Sequence, residues 1–344
     1  MQSNLFNESF RFRACLLTLM CSALSACAEL PAGQESAVAT RAQVQMGTLV
    51  KITAVARTES VAQAAATAGF DEIRRLEEIL STWIPTSELS RVNASAGVMP
   101  VHVSQETLTV VQRAVQAAEM TDGGFNIAIG PAVDAWSVID ARRIPTESEL
   151  DALRPLVDLM SVHVDTREQT IYLGKAGMRI DVGGIGKGYA ADQAVEALRK
   201  AGAVAGVVAL SGDIKTFGRL PGGKMFPVGI QHPRKDGSVL AWIDLRDEAI
   251  STAGDYERFF EREGVRYHHI LDPRTLQPAH SCQSVTVVAR DGIWADGLDT
   301  GIFVMGVELG MRLVETLPDV EAIIVDNEGH VHVSSGLRDR IRKP

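Results

Sequence analysis

The sequence predicts an α+β fold, with antiparallel sheets and flanking helices in a bilobed arrangement. Three observations predict it. The chain has 344 residues, 46% of them hydrophobic, which fills a sizeable core near the length at which cores divide into lobes. Apolar residues recur at helical spacing in some segments and gather into short strand-like runs in others. The strand-like runs follow one another across short polar turns, and hairpin-length connections favour antiparallel pairing over a doubly wound parallel sheet.

The first segment stands apart from the fold. Arg11 and Arg13 precede the apolar run Ala14 to Leu24, and Leu24-Ser25-Ala26-Cys27 closes it with small residues, the layout of a secretory signal. The run is too short to span a bilayer comfortably. Leu-Ser-Ala-Cys also resembles a bacterial lipobox, in which Cys27 becomes the acylated first residue; an ordinary signal peptide is the alternative. On the lipobox reading residues 1–26 are a lipoprotein signal peptide, 27–42 a tether rich in Ala, Gly, Glu and Gln, and 43–344 one domain. The protein is then extracytoplasmic, in the bacterial periplasm, held to a membrane by acyl chains worth about 0.8 kcal/mol per buried CH₂. Cys15 and Cys21 leave with the signal, so Cys282 stands alone in the folded body as a small core residue, with no disulfide partner.

Along the body, Val44 to Val55 reads as a strand, and Val61, Ala65, Phe70, Ile73, Leu76 and Leu80 mark a helix. Leu108, Val111, Val115 and Ala118 mark a second helix, and Thr146 with Glu149 forms a capping-box signature ahead of a third. Val162 to Asp165 and Thr170 to Leu173 read as a hairpin, followed by a strand from Met178 to Val182. Tyr189 to Lys200 is helical, with Gly202 placed to end it. Further strands are expected at 207–210, 213–217, 226–230, 239–245, 267–271 and 285–289. A helix from Ala295 to Leu317, bent near Gly306 or Gly310, and a strand pair around Ile323 and Val331 close the chain.

The formal net charge of -9 argues against nucleic acid as a partner, because counterion release needs clustered Lys and Arg. Three motifs carry chemistry. Residues 180–192, IDVGGIGKGYAAD, place glycines between a strand and a helix, where backbone amides come close to a ligand. A Walker A loop needs Gly at Asp181 and Ser or Thr at Gly188, and a dinucleotide fingerprint needs GxGxxG, so both readings fail. What stays open is a phosphate-approaching loop or a tight strand-to-helix turn. Asp296, Asp299 and Thr300 share one helix face and form a hard oxygen set suited to Mg²⁺ or Ca²⁺; an acidic helix N-terminus favouring the macrodipole is the alternative. His268 and His269, on one strand, face opposite sides, so at most one serves a given site. Thr252 to Tyr256 reads as a turn.

Taken in order, Met46-Gly47-Thr48, SELSRVN at 87–93, GGFNIAIGP at 123–131, the 180–192 loop, SGDI at 211–214, TAGDYERFF at 252–260, HHILDPRT at 268–275 and ADGLDTGIFVMG at 295–306 resemble the ApbE-type FAD:protein FMN transferases. The likeness spans roughly residues 44–335. It implies an ApbE-like, T-fold-like architecture and Mg²⁺-dependent transfer of FMN from FAD to a threonine hydroxyl, with AMP released. It also implies flavin-acceptor proteins as partners, such as subunits of membrane redox complexes. By the resemblance, Asp181 and Lys187 contact FAD, while Met46, Gly124, Phe125, Asn126 and Ile270 line the nucleotide site. Trp83 stands where the family often carries an aromatic that packs on the cofactor. Gly184 offers a backbone carbonyl to the metal, Asp296 and Thr300 are side-chain ligands with Asp299 beside them, and His269 is the proton acceptor. The chain departs from the family pattern at Asn126 (usually Asp), Ser211 (Gly), Ala253 (Ser) and Leu276 (Gly). An FAD pyrophosphatase yielding FMN and AMP, or a flavin-binding lipoprotein without catalysis, are the competing readings.

Overall fold

The structure is a computed structural model that describes residues 36–344; the signal peptide and Cys27 lie outside the described residues. The first part of the chain runs β1 (Ala37–Gln45), β2 (Thr48–Ala56), α1 (Glu59–Leu80), α2 (Glu88–Ala94), β3 (Val101–His102) and α3 (Gln105–Met120). Then come α4 (Gly130–Trp136), α5 (Glu147–Leu153), β4 (Val162–Asp165), β5 (Thr170–Leu173), α6 (Gly186–Lys200), β6 (Ala205–Leu210) and β7 (Asp213–Phe217). After these follow β8 (Phe226–Gln231), β9 (Val239–Leu245), β10 (Ala249–Gly254), β11 (Phe259–Arg262), β12 (Val265–His268) and β13 (Ser284–Ala289). The last elements are α7 (Gly292–Met305), α8 (Val307–Val314), β14 (Val320–Val325), β15 (Val331–Val333) and β16 (Ile341–Arg342).

An eight-stranded sheet in the order β1-β2-β6-β7-β10-β13-β14-β15 organises the molecule. Every described strand pairing is antiparallel; short turns join β1 to β2, β4 to β5, β6 to β7, β8 to β9, β11 to β12 and β14 to β15, and the other pairs are brought together by longer connections. The sheet is continuous, and its two halves carry separate apolar cores. Their seam is narrow: β7 and β10 share only the pairs Ala249↔Lys215 and Ile250↔Ile214. One sheet face is covered by helices. Phe70, Ile73 and Leu76 of α1 and Ala194 and Leu198 of α6 pack on Ile52 and Val208 in the first half, and Leu298, Ile302 and Phe303 of α7 pack on Val285, Val287 and Ile324 in the second. Alternate residues Ile250, Val288 and Ile323 point the other way, onto Ile230, Ile243 and Leu245 of the small β16-β9-β8 sheet, following the period-two rule of a strand.

Several sequence expectations need correction. The single strand from Val44 to Val55 is a hairpin whose turn residues, Met46 (φ 50°) and Gly47 (φ 66°), are both left-handed, the geometry that matches strand twist in two-residue turns. Residues 37–42, assigned to the tether, form the start of β1 and pair along β2. Met178 to Val182 is not a strand, because its backbone finds other partners: Ile180 exchanges hydrogen bonds of 2.8 and 3.0 Å with the Asn93 side chain, and Asp181 N–H donates to the Ile127 carbonyl at 2.8 Å. Thr252 to Gly254 belong to β10, not to a turn, and the strand expected at 267–271 runs from Val265 to His268. The long last helix is two, broken at Gly306 (φ 81°). The capping box at Thr146 and Glu149 forms as expected.

Two of the departures from the family pattern fall where the backbone is left-handed, Ser211 at φ 57° and Leu276 at φ 60°. A non-glycine residue there costs about 1–2 kcal/mol. Leu276 offsets it by complete burial, worth about 1.5–3 kcal/mol, and its carbonyl accepts from Trp136 Nε1 at 2.7 Å. Ser211 has no such compensation.

Glycines bring α7 onto the segments that face it. A methyl at Gly188 would stand 2.1 Å from the Gly292 carbonyl oxygen, and one at Gly124 would stand 2.7 Å from that of Gly301. Neither neighbour is a flexible side-chain tip, so the backbones must separate. We expect Gly188→Ala to lower stability by about 1–3 kcal/mol or more, read as a lower urea midpoint with an unchanged denaturant slope; an unchanged midpoint would show that the two helices are not in this contact.

Candidate active site

The seam of the sheet gathers the charged residues. Asp213 opens β7, Ser251 lies on β10 one residue past the last shared pair, Lys187 sits in the first turn of α6, and Asp296, Asp299 and Thr300 project from α7. Helix α7 is buried on almost every side, so its carboxylates face protein, not water. Its first amides are capped from α6: Asp192 accepts from Gly292 N–H at 2.8 Å and Ile293 N–H at 3.0 Å. Asp192 thus locks the helix that carries the acids to the helix that carries Lys187.

Carboxylate oxygens of Asp213, Asp296 and Asp299 lie within 4.8 Å of one another, and the three residues are 3%, 3% and 1% exposed. Lys187 Nζ bonds Asp213 and lies 4.0 Å from Asp296. Burial works against its charge, but Asp213 and Asp296 outweigh that and hold the ammonium above its ordinary value. Three acids face one base. Burial, reinforced by the neighbouring acids, pushes Asp296 and Asp299 well above the usual carboxylate range. The Ser251 hydroxyl touches both Asp213 and Asp299, the latter at 2.6 Å. One hydroxyl has one proton to give, so without a cation one of these acids must hold a proton of its own.

The glycine loop closes against this cluster. Gly188 N–H donates to Asp296 Oδ2 at 2.8 Å instead of to the Gly184 carbonyl four residues earlier. Among the described residues no donor engages that carbonyl. Gly184 sits beside Thr300, whose Oγ1 lies 3.2 Å from where a Cβ on residue 184 would stand, with the Phe125 ring at the same distance. Thr300 Oγ1 itself donates to Asp299 at 3.1 Å. Buried carboxylates in excess of their cation, a hydroxyl and an unclaimed carbonyl make an oxygen-only donor set, and that fits a hard divalent ion. The macrodipole alternative for the acids of α7 fails: its first turn carries none, and Asp296 bonds a different helix.

The remaining candidates divide. Asp181 Oδ1 accepts from Gly183 N–H at 2.7 Å and shapes the loop. Asn126 Oδ1 accepts from Ala128 N–H at 2.9 Å, a cap that asparagine makes as well as aspartate. Phe125 is buried, and Gly124 abuts α7. Met46 is held in its turn by Glu77, which accepts from its N–H at 2.8 Å. Ile270 is 4% exposed inside the α7 core, with its N–H given to His268 and its carbonyl taken by Ala279, so only indirect support of the site is left to it. Trp83 is 79% exposed and packs in none of the hydrophobic clusters.

The two histidines separate as their alternation requires. His268 is buried with both nitrogens spent, Nε2 on the Ala279 carbonyl at 2.7 Å and Nδ1 on Ile270 N–H at 3.3 Å. His269 uses only Nδ1, which donates to the Arg258 carbonyl at 3.3 Å. That contact puts the proton on Nδ1 and leaves the Nε2 lone pair available. His269 is half-buried; loss of solvent first, then the positive Arg258, holds it below its ordinary value, which favours the neutral ring in the physiological range. Cys282 is a buried free thiol, pushed up to about 12 by burial. Asp213, Ser251 and Asp192 are the residues that motif reading passed over. Asp213 lay inside the quoted SGDI run, and Ser251 stands one place before TAGDYERFF.

A model of the ApbE family matches residues 46–324. The chain is 34% identical over 319 residues to an FAD:protein FMN transferase of Treponema pallidum, covering 88% of each chain. It is 32% identical over 281 residues to one of Klebsiella pneumoniae, covering 81% of this chain and 87% of the other. Among solved structures, the ApbE protein of Thermotoga maritima superimposes with a TM-score of 0.82 at 30% identity, over 89% of this chain and all of that one, 100%. The flavin transferase ApbE of Vibrio cholerae gives 0.79 at 29% identity, over 89% of this chain and 100% of that one.

The raised carboxylates set a pH dependence. A group whose value rises on folding holds its proton until the pH climbs past the ordinary carboxylate range, and a cation must displace that proton to bind. Any stabilisation by a divalent cation at these acids therefore grows as pH rises. We expect the Mg²⁺-induced increase in thermal midpoint to be larger at about pH 8 than at about pH 6, and the Asp299→Asn variant to lose most of that difference. A shift that is flat across this range would show that protons and cation do not compete at the cluster.

Proposed function

This chain belongs to the ApbE family, and on that premise we propose that it is an FAD:protein FMN transferase that moves FMN from FAD to a threonine hydroxyl of an acceptor protein, releasing AMP. The observation that carries the reading is the meeting of the glycine loop with α7, where Thr300 stands beside Gly184 and Asp296 accepts from Gly188 N–H. We further propose Mg²⁺ as the ion held by Asp296, Asp299, Thr300 and the Gly184 carbonyl, with Asp213 as a further acid of the cluster. When bound there, the ion polarises the FMN-side phosphate and steadies the departing AMP.

The residues of the chain supply the rest. The short glycine loop lets the diphosphate approach backbone that a side chain would screen. Lys187 holds Asp213 and Asp296 in place and adds positive charge where the diphosphate arrives. The acceptor threonine oxygen attacks the FMN-side phosphorus, a P–O bond forms, and the bond to the AMP phosphate breaks. His269 Nε2 takes the hydroxyl proton, a contribution of about 10²–10⁴-fold for a well-placed base. The acceptors that suit this chemistry are extracytoplasmic flavoproteins, such as subunits of membrane redox complexes. The Leu-Ser-Ala-Cys run supports placing the enzyme in the periplasm, anchored through acylated Cys27.

The direct test supplies full-length protein in detergent with FAD, Mg²⁺ and an acceptor subunit. Mass spectrometry should show FMN added to a threonine of the acceptor. Free FMN with an unmodified acceptor would instead identify a pyrophosphatase, and no turnover a flavin carrier. Asp296→Ala should abolish Mg²⁺-dependent transfer while retaining the fold by circular dichroism; near-normal transfer would contradict the assigned site. His269→Asn should lower kcat by about 10²-fold or more with FAD affinity little changed. Metabolic labelling with a radioactive fatty acid should mark the wild-type chain and not Cys27→Ser; equal labelling of both would remove the anchor.

A further inference from the structure

A second cluster of metal-ligating side chains lies at the outer edge of the sheet, in the turn between β14 and β15, and shares no residue with the seam cluster. Asp326 closes β14 and its Oδ1 accepts two backbone amides of the turn, Glu328 N–H at 3.0 Å and His330 N–H at 2.8 Å. Those bonds fix the carboxylate plane. The other oxygen, Oδ2, is met by two imidazoles, His330 Nδ1 at 3.2 Å and His332 Nε2 at 2.9 Å. Ligand atoms of Asp326, Glu328 and His330 lie within 4.8 Å of one another. His330 and His332 are two residues apart and meet the same oxygen, as residues on one strand face do.

We propose that Asp326, Glu328, His330 and His332 form a binding site for one divalent transition ion of the Zn²⁺ class. Two imidazoles and two carboxylates are a mixed nitrogen and oxygen set, which suits Zn²⁺ and its borderline neighbours and does not suit Mg²⁺. The oxygen-only cluster in the seam has the opposite preference, so the two sites sort ions by chemistry. The Asp326 plane is set before any ion arrives, and each imidazole already points a nitrogen at the shared oxygen. An ion replaces the protons those nitrogens now direct at it. Its mechanical effect follows from position. The turn joins the last two strands of the sheet, where β15 is an outer strand paired through only Val331, His332 and Val333, so ligation from both ends of the turn pins that edge. The inference does not depend on the transfer reaction.

The test uses full-length protein without an affinity tag, in detergent, titrated with Zn²⁺ in saturating Mg²⁺. Calorimetry should find one Zn²⁺ per chain, and Co²⁺ in its place should give the visible absorption of a four-coordinate site. Changes to the partners of ligands alone weaken metal sites by about 10–100-fold, so removing two ligands in His330→Gln with His332→Gln should weaken binding by about a hundredfold or more. An unchanged melting curve in chelator would show that this variant is folded. Asp296→Ala should bind Zn²⁺ as the wild type does. Zn²⁺ uptake that survives the double substitution, that vanishes with Asp296→Ala instead, or that is absent from the wild type overturns the proposal.

Discussion

Three carboxylates and one ammonium share a buried seam, and that imbalance governs the architecture around it. Asp213, Asp296 and Asp299 are almost wholly enclosed, and Lys187 neutralises one of them at most. Uncompensated charge in a protein interior costs several kcal/mol per ion even after relaxation, so apolar packing cannot close this seam. It closes with a proton or with a cation. The two halves of the sheet touch through two residue pairs at this place, which leaves room for the acids. A wider ladder between β7 and β10 would fill the space with backbone hydrogen bonds.

Glycine is what turns the acids into a site. Because Gly188 lacks a side chain, α6 approaches α7 closely enough for its amide to reach Asp296. That diversion has a second effect, since the amide would otherwise bond the Gly184 carbonyl and close the first helical turn. A single absent methyl group therefore orders a carboxylate and frees a carbonyl. Asp192 completes the arrangement by capping α7 from the same helix, so the donors are held by packed elements and not by loops. Donors fixed in this way need little reorganisation when charge shifts in the transition state.

Local rules made much of this legible. The hairpin at 162–173 and the capping box at Thr146 follow from periodicity and end signals, whereas the last helix, expected as one bent rod, is two helices parted at Gly306. Segments whose partners are distant in sequence were harder. Met178 to Val182 is apolar enough for a strand, but the Asn93 side chain claims the backbone of Ile180, and no spacing rule sees across that separation. The same holds in the site. Asp296, Asp299 and Thr300 were legible because one helix presents them together, whereas Asp213 and Ser251 reach the cluster from separate strands. Trp83, placed by its position in the family pattern alone, stands 79% exposed outside the apolar clusters, where spacing rules give no partner for it.

The neighbouring histidines tie the electrostatics to the chemistry. One place past His268, His269 gives its backbone N–H and its Nδ1 proton to the same Arg258 carbonyl, so its Nε2 stays unspent. Burial makes that nitrogen a weak base, which at first sight is a poor match for a hydroxyl group. In a loose phosphoryl transfer, however, little bond formation precedes departure of the leaving group, so the nucleophile gives up its proton late and needs an acceptor that is unprotonated and in place more than one that is strong. The requirements then coincide. On the proposed mechanism the seam acids must be ionised to hold a cation and the imidazole must be neutral to receive a proton, and each condition holds on the alkaline side of its own titration. With the histidine lowered and the acids raised, that mechanism makes the seam, and not the imidazole, the group that limits activity toward acid.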